Sequence, residues 1–142
     1  MSNEPDTFTD EERAAMKERA KELRRTRSSK GKVDGLTDLR EKLAEMPEAE
    51  RRIGERIHEI VNEVAPELQP KTWYGQPAWT KDGKVIVFFQ GASKFSTRYS
   101  TLGFQQDARL DEGSMWATSF ALTELSVDDE KLIGELIRRA AG

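Results

Sequence analysis

The sequence predicts an α+β fold, and three observations carry the prediction. Apolar residues recur at helical spacing as far as Pro66, switch to strand-like alternation after Pro70, and return to helical spacing behind Ser126. We expect an antiparallel sheet of about four strands with helices packed mainly on one face. A basic helical arm precedes it. The 142 residues suffice for one domain, read as an arm and flexible linker over 1–35 and an α+β body over 36–142.

The arm opens with a capping box, in which Thr9 and Glu12 satisfy each other's first-turn amides. Strong helix formers follow to Arg27. Their apolar stripe is thin: Met16, Ala20 and Leu23. Three such side chains offset little of the entropy lost on ordering a linker, so the arm is expected to dock weakly and stay mobile. Thr26 to Gly35 reads as that linker, being rich in Ser, Gly and Lys. Leu36, Leu39, Leu43 and Met46 mark a short amphipathic helix. Pro47 suits the first turn of the next, which shows Ile53, Ile57, Ile60, Val61, Val64 and Leu68 on one face.

Strands are expected at 71–80, 84–90, 95–102 and 116–122, with Asp82-Gly83 turning a hairpin between the first two. The stretch Phe104 to Leu110 reads as a helical turn or two. Ser126 caps a last helix presenting Leu132, Ile133, Leu136 and Ile137.

Composition narrows the chemistry. With no cysteine there is no disulfide, thiolate nucleophile or metal–sulfur site. No apolar run approaches the roughly 20 residues that cross a bilayer, and the acidic N-terminus is unlike a secretion signal. These features predict a cytoplasmic protein with no membrane partner. Charge is uneven. Residues 13–32 carry nine Lys or Arg against Glu18 and Glu22, a net of +7, while the chain totals −3 and the remainder −10. The arm could grip an acidic partner or nucleic acid, although no aromatic residue interrupts its cations to stack on bases.

A lone histidine, His58, and the lack of a Gly-x-Ser-x-Gly turn argue against a serine hydrolase. No nucleophile–base pair stands out, so no enzyme activity is expected. Glu55 and His58 have the spacing of a helical di-metal motif, but no second copy accompanies them. Weak binding of iron needs only surface carboxylates. Two sets offer them: Glu55, Glu59 and Glu63 as an acidic row along one helix, and Asp107, Asp111 and Glu112 as another cluster. Trp73, Tyr74, Trp79 and Tyr99 could wall a pocket, with Lys84, Lys94 and Arg98 supplying cations for an anionic ligand. The competing role for these aromatics is simple core packing.

Tyr74-Gly75-Gln76-Pro77-Ala78-Trp79, then Gly83-Lys84, the strand through Phe89, and Lys94 resemble the YdhG-like bacterial domains of unknown function. Met46-Pro47-Glu48 opening a helix that runs to Ala65-Pro66 fits as well, and the likeness covers about residues 36–140. The resemblance implies a frataxin-like body and, as in some members, an iron-chaperone role. Phe95 stands where many relatives carry a histidine. The resulting expectation is a small binding protein that carries labile iron or a small ligand. The alternative is an interaction module that works through its basic arm.

Overall fold

The structure is a computed structural model that describes residues 9–27 and 31–142, the side chains of 23–27 and 31–34 excepted. Helices α1 (Asp10–Arg27), α2 (Gly31–Ala44) and α3 (Glu48–Val64) lead into a five-stranded antiparallel sheet, and α4 (Val127–Ala141) follows it. The strands are β1 (Gln69–Trp73), β2 (Gln76–Lys81), β3 (Lys84–Gln90), β4 (Ser100–Phe104) and β5 (Ser119–Leu122), paired in chain order. A 3-10 turn, Ala92–Lys94, follows β3.

Antiparallel register puts paired residues on one face. Pro70, Trp79, Val87 and Phe104 align across β1 to β4, and Phe89, Leu102 and Phe120 across β3 to β5. These rows meet Leu39 and Leu43 of α2, Ile53, Ile57, Ile60 and Val61 of α3, and Ile133 and Ile137 of α4 in one continuous core. Lys71, Ala78, Phe88, Gly103 and Ser119 form a row on the opposite face. The predicted capping box of Thr9 with Glu12 is present, and the predicted cap Ser126 forms a second box with Asp129. Arg56 ties α3 to α4 through its 2.9 Å contact with Glu130.

Several expectations are corrected. The single strand at 71–80 is two strands, because Tyr74 and Gly75 both take positive φ and reverse the chain in a two-residue hairpin. This makes five strands rather than about four. Phe95 to Tyr99 is no strand despite its alternation. Ser96 sits at positive φ, and the Thr97 N–H closes a turn onto the Ala92 carbonyl, so pairing begins only at Ser100. Pairing at the last predicted strand likewise begins at Ser119. Of the helical turn or two expected at 104–110, one hydrogen-bonded turn is present, Ala108 N–H to Gln105 carbonyl.

The linker reading of 26–35 also changes. Helix α1 runs to Arg27 and α2 starts at Gly31, so only residues 28–30 lie outside the described residues there. Gly35 belongs to α2 because the helix backbone rides against the Pro70 carbonyl, where any Cβ would collide. A residue that signals flexibility in the sequence serves as a close-approach point in the fold. The acidic residues before Thr9 and the side chains of Leu23 to Lys32 lie outside the described residues.

Candidate functional site

Three segments converge where the β1–β2 hairpin turns: the hairpin itself, the turn after β3, and α1. At Tyr74 and Gly75 the left-handed backbone aims two successive amides outward, which makes a small anion-binding concavity. Gly75 meets this at no steric cost, whereas Tyr74 is an uncommon residue at positive φ. A carboxylate fills the concavity. The Tyr74 N–H donates to Glu22 Oε1 and the Gly75 N–H to Glu22 Oε2, each at 3.0 Å. Glu22 is only 8% exposed.

The face of α1 that reaches this site is Glu11, Ala15, Glu18 and Glu22, at spacings of four, three and four, which form one helical stripe. Ala15 is buried. Glu11 accepts from Ser96 Oγ at 3.2 Å, and Glu18 takes Lys42 Nζ at 2.7 Å. The Lys42 hydrogen bond is the largest influence holding the Glu18 carboxyl below its ordinary range, with the charges of Lys42, Lys21 and Lys94 assisting. Met16, from the predicted apolar stripe, is 48% exposed. Among its described side chains the helix rests on carboxylates, Arg19 and one alanine, a stripe that a search for apolar periodicity passes over. Arg13, Lys17 and Lys21 point to solvent.

Cations surround the seat. The Lys94 ammonium lies over the hairpin, 2.7 Å from where a Cβ on Gly75 would stand. Arg19 lies 3.9 Å from Glu22 and over the Tyr74 ring, 5.4 Å from its centre. Burial lowers the Lys71 pKa, with Arg19 adding to the effect and Glu22 opposing it. Two buried polar atoms here have no hydrogen-bond partner among the described residues: Arg19 Nη1 and Gln76 Oε1. Trp73 packs edge-on to Tyr74 at 5.0 Å and against Phe88 at 5.2 Å on the face away from the core.

The predicted pocket residues divide accordingly. Trp73, Tyr74 and Lys94 meet at this end of the sheet. Trp79 is fully buried in the core, where its indole N–H donates to His58 Nδ1 at 3.1 Å. Arg98 lies over Tyr99 at 5.2 Å, both on an exposed turn. Lys84 is at the opposite end, 3.9 Å from Asp107. There a cleft of about 850 Å³ is lined by Lys81, Lys84, Gln106, Asp107, Arg109 and Asp111 among others. Its cations and carboxylates alternate, and no single charge prevails.

The metal candidates are dispersed. Glu59 and Glu63 both bind Arg56, at 2.9 and 3.3 Å, and Glu55 faces Arg51 at 3.8 Å. Asp107 faces Lys84, Glu112 lies 4.0 Å from Arg139, and Asp111 is exposed. Among the described residues no group of three or more carboxylates or histidines is gathered to hold a metal ion. Among them, too, no helix is long and apolar enough to cross a membrane.

Comparison with protein-family models, with curated proteins and with solved structures finds no match to this chain.

Proposed function

We propose that this is a non-catalytic binding protein that captures a carboxylate-bearing ligand at the Tyr74-Gly75 hairpin. The observation that carries the reading is the Glu22 carboxylate held by two backbone amides, with Arg19 3.9 Å away and Lys94 over the hairpin. Backbone amides are fixed donors for an anion and carry no counter-charge, and charge-assisted hydrogen bonds of this type are the stronger kind. Trp73 and Tyr74 beside them offer apolar surface for the rest of a ligand. A YdhG-like, frataxin-like body agrees with this reading. The iron-carrying variant has less support, because most of its candidate carboxylates are already matched to arginine or lysine.

The test uses the full chain with Glu22→Ala, which empties the concavity. Added acetate should move the Tyr74 and Gly75 amide protons downfield in a saturable way and return them toward their wild-type positions. Unresponsive amides would remove the reading.

A second reading has one supporting observation. Arg13, Lys17 and Lys21, spaced by four, form an exposed basic row on the outer side of α1 and could contact an acidic partner. Binding through them should weaken steeply with salt.

A further inference from the structure

Resting on that reading, we infer that the natural ligand is an acidic helical segment of another protein, and that α1 is its internal stand-in. The receptor surface is extended along the axis of a helix. Its donors, Ser96 Oγ, Lys42 Nζ and the hairpin amides, meet carboxylates at positions 11, 18 and 22. A helix rises about 1.5 Å per residue, so these three span about 16 Å. That is the reach of three helical turns and far exceeds one small carboxylate. A partner that displays acidic residues at spacings of seven and four, with a small residue between the first two, would match every donor.

Two features make α1 displaceable. None of its described side chains belongs to the continuous core, so it can leave while the body stays folded. It also seats imperfectly: Arg19 Nη1 of α1 is buried with no hydrogen-bond partner among the described residues and approaches Glu22 only to 3.9 Å. A buried donor without an acceptor weakens the cis complex. The cis helix competes through proximity, with an effective concentration on the order of millimolar for a short connection, so wild-type binding in trans is suppressed without being abolished.

The experiment titrates a synthetic peptide of residues 9–27 into full-length protein, wild type and Glu18→Gln/Glu22→Gln, and follows the Tyr74 and Gly75 amides and Trp73 fluorescence. The double variant should bind the peptide at least tenfold more tightly than wild type, and a peptide carrying the same two substitutions should fail to bind. Circular dichroism of the variant checks that the body is folded. A Lys42→Ala/Lys94→Ala pair in the double-variant background should weaken the peptide again. Equal affinity for wild type and variant would overturn the stand-in role. Failure of the peptide to bind the double variant, with acetate still shifting the amides of Glu22→Ala, would overturn the helical ligand and leave the carboxylate reading. Failure of both would remove both.

Discussion

His58 shows how one side chain can mislead in a sequence and be explained by a fold. It lies on α3 beside glutamates, at a spacing that suggests a metal ligand. In the structure its Nδ1 accepts from the Trp79 indole, which can only donate, so the ring is neutral with its proton on Nε2. Burial lowers its pKa, and the nearby Arg40 charge adds to this. A depressed folded value means that the unfolded chain binds the extra proton first. The contribution of His58 to stability is therefore full above about pH 6.5 and is lost as pH falls through the folded value. Replacing His58 with Phe should abolish that slope in urea melts collected between pH 7.5 and 5. It should also cost about 1–3 kcal/mol, because the Trp79 N–H is left buried and unpaired. An unchanged pH slope would show that another group titrates there. Glu22 differs because it has an escape. Glu22→Ala strips two amides of their acceptor, but α1 can lift and let water replace it. We expect faster hydrogen exchange at Tyr74 and Gly75 with a small change in melting temperature, read by exchange mass spectrometry and calorimetry.

At the scale of elements, α1 shows why amphipathicity alone is an incomplete guide. The predicted stripe Met16, Ala20, Leu23 assumes that burial of apolar area drives docking. Among the described side chains the contacts run through Glu11, Ala15, Glu18 and Glu22, and the carboxylates' partners are amides, a lysine and a hydroxyl on α2, the hairpin and the turn after β3. Acid should loosen such a helix. The Glu18 carboxyl titrates below its ordinary 4.5 because Lys42 holds its charged form. Its contribution to docking is present above that value and is lost as pH falls through the depressed one. Heteronuclear relaxation should show Asp10 to Glu22 as ordered as the body at pH 7 and progressively more mobile toward pH 3. High mobility already at pH 7 would restore the picture of a free arm. The reversed pair α2–α3 is tied by a different device. Gly54 lets the Leu43 side chain lie where a Cβ would stand. Gly54→Ala should destabilise by about 1–3 kcal/mol through overpacking, measured as a shift in urea midpoint with the slope unchanged.

For the whole molecule, the relation between α1 and the rest sets the largest expectation. The core joins α2, α3, α4 and one face of the sheet, so global stability belongs to that unit. Ligands that bind the native state raise the melting temperature in proportion to the logarithm of concentration over Kd. Ferrous iron at millimolar concentration should leave it nearly unchanged, because no described carboxylates are gathered into a site and Arg51, Arg56 and Arg139 already neutralise most of the candidates. A rise of several degrees would show a built metal site.

The local elements were written into the chain at short range. Thr9 with Glu12 and Ser126 with Asp129 cap their helices within four residues. The isoleucine stripe of α3 specifies its buried face, and Asp82-Gly83 with the apolar run after it specifies the β2–β3 hairpin. Each rests on contacts between residues close in sequence, where spacing is enough. What spacing could not supply are encounters across the chain. Tyr74-Gly75 reads as an interruption until the strand on either side is seen to pair with the other. Phe95 to Tyr99 alternates like a strand, yet it folds into a turn onto Ala92. Gly35 reads as slack until Pro70 lies against it. Glu22, 52 residues before Tyr74, is one acid among many along a basic helix. Its role as an anion held by two amides exists only because the sheet turns beside α1, since burial and hydrogen-bond geometry belong to the packed molecule.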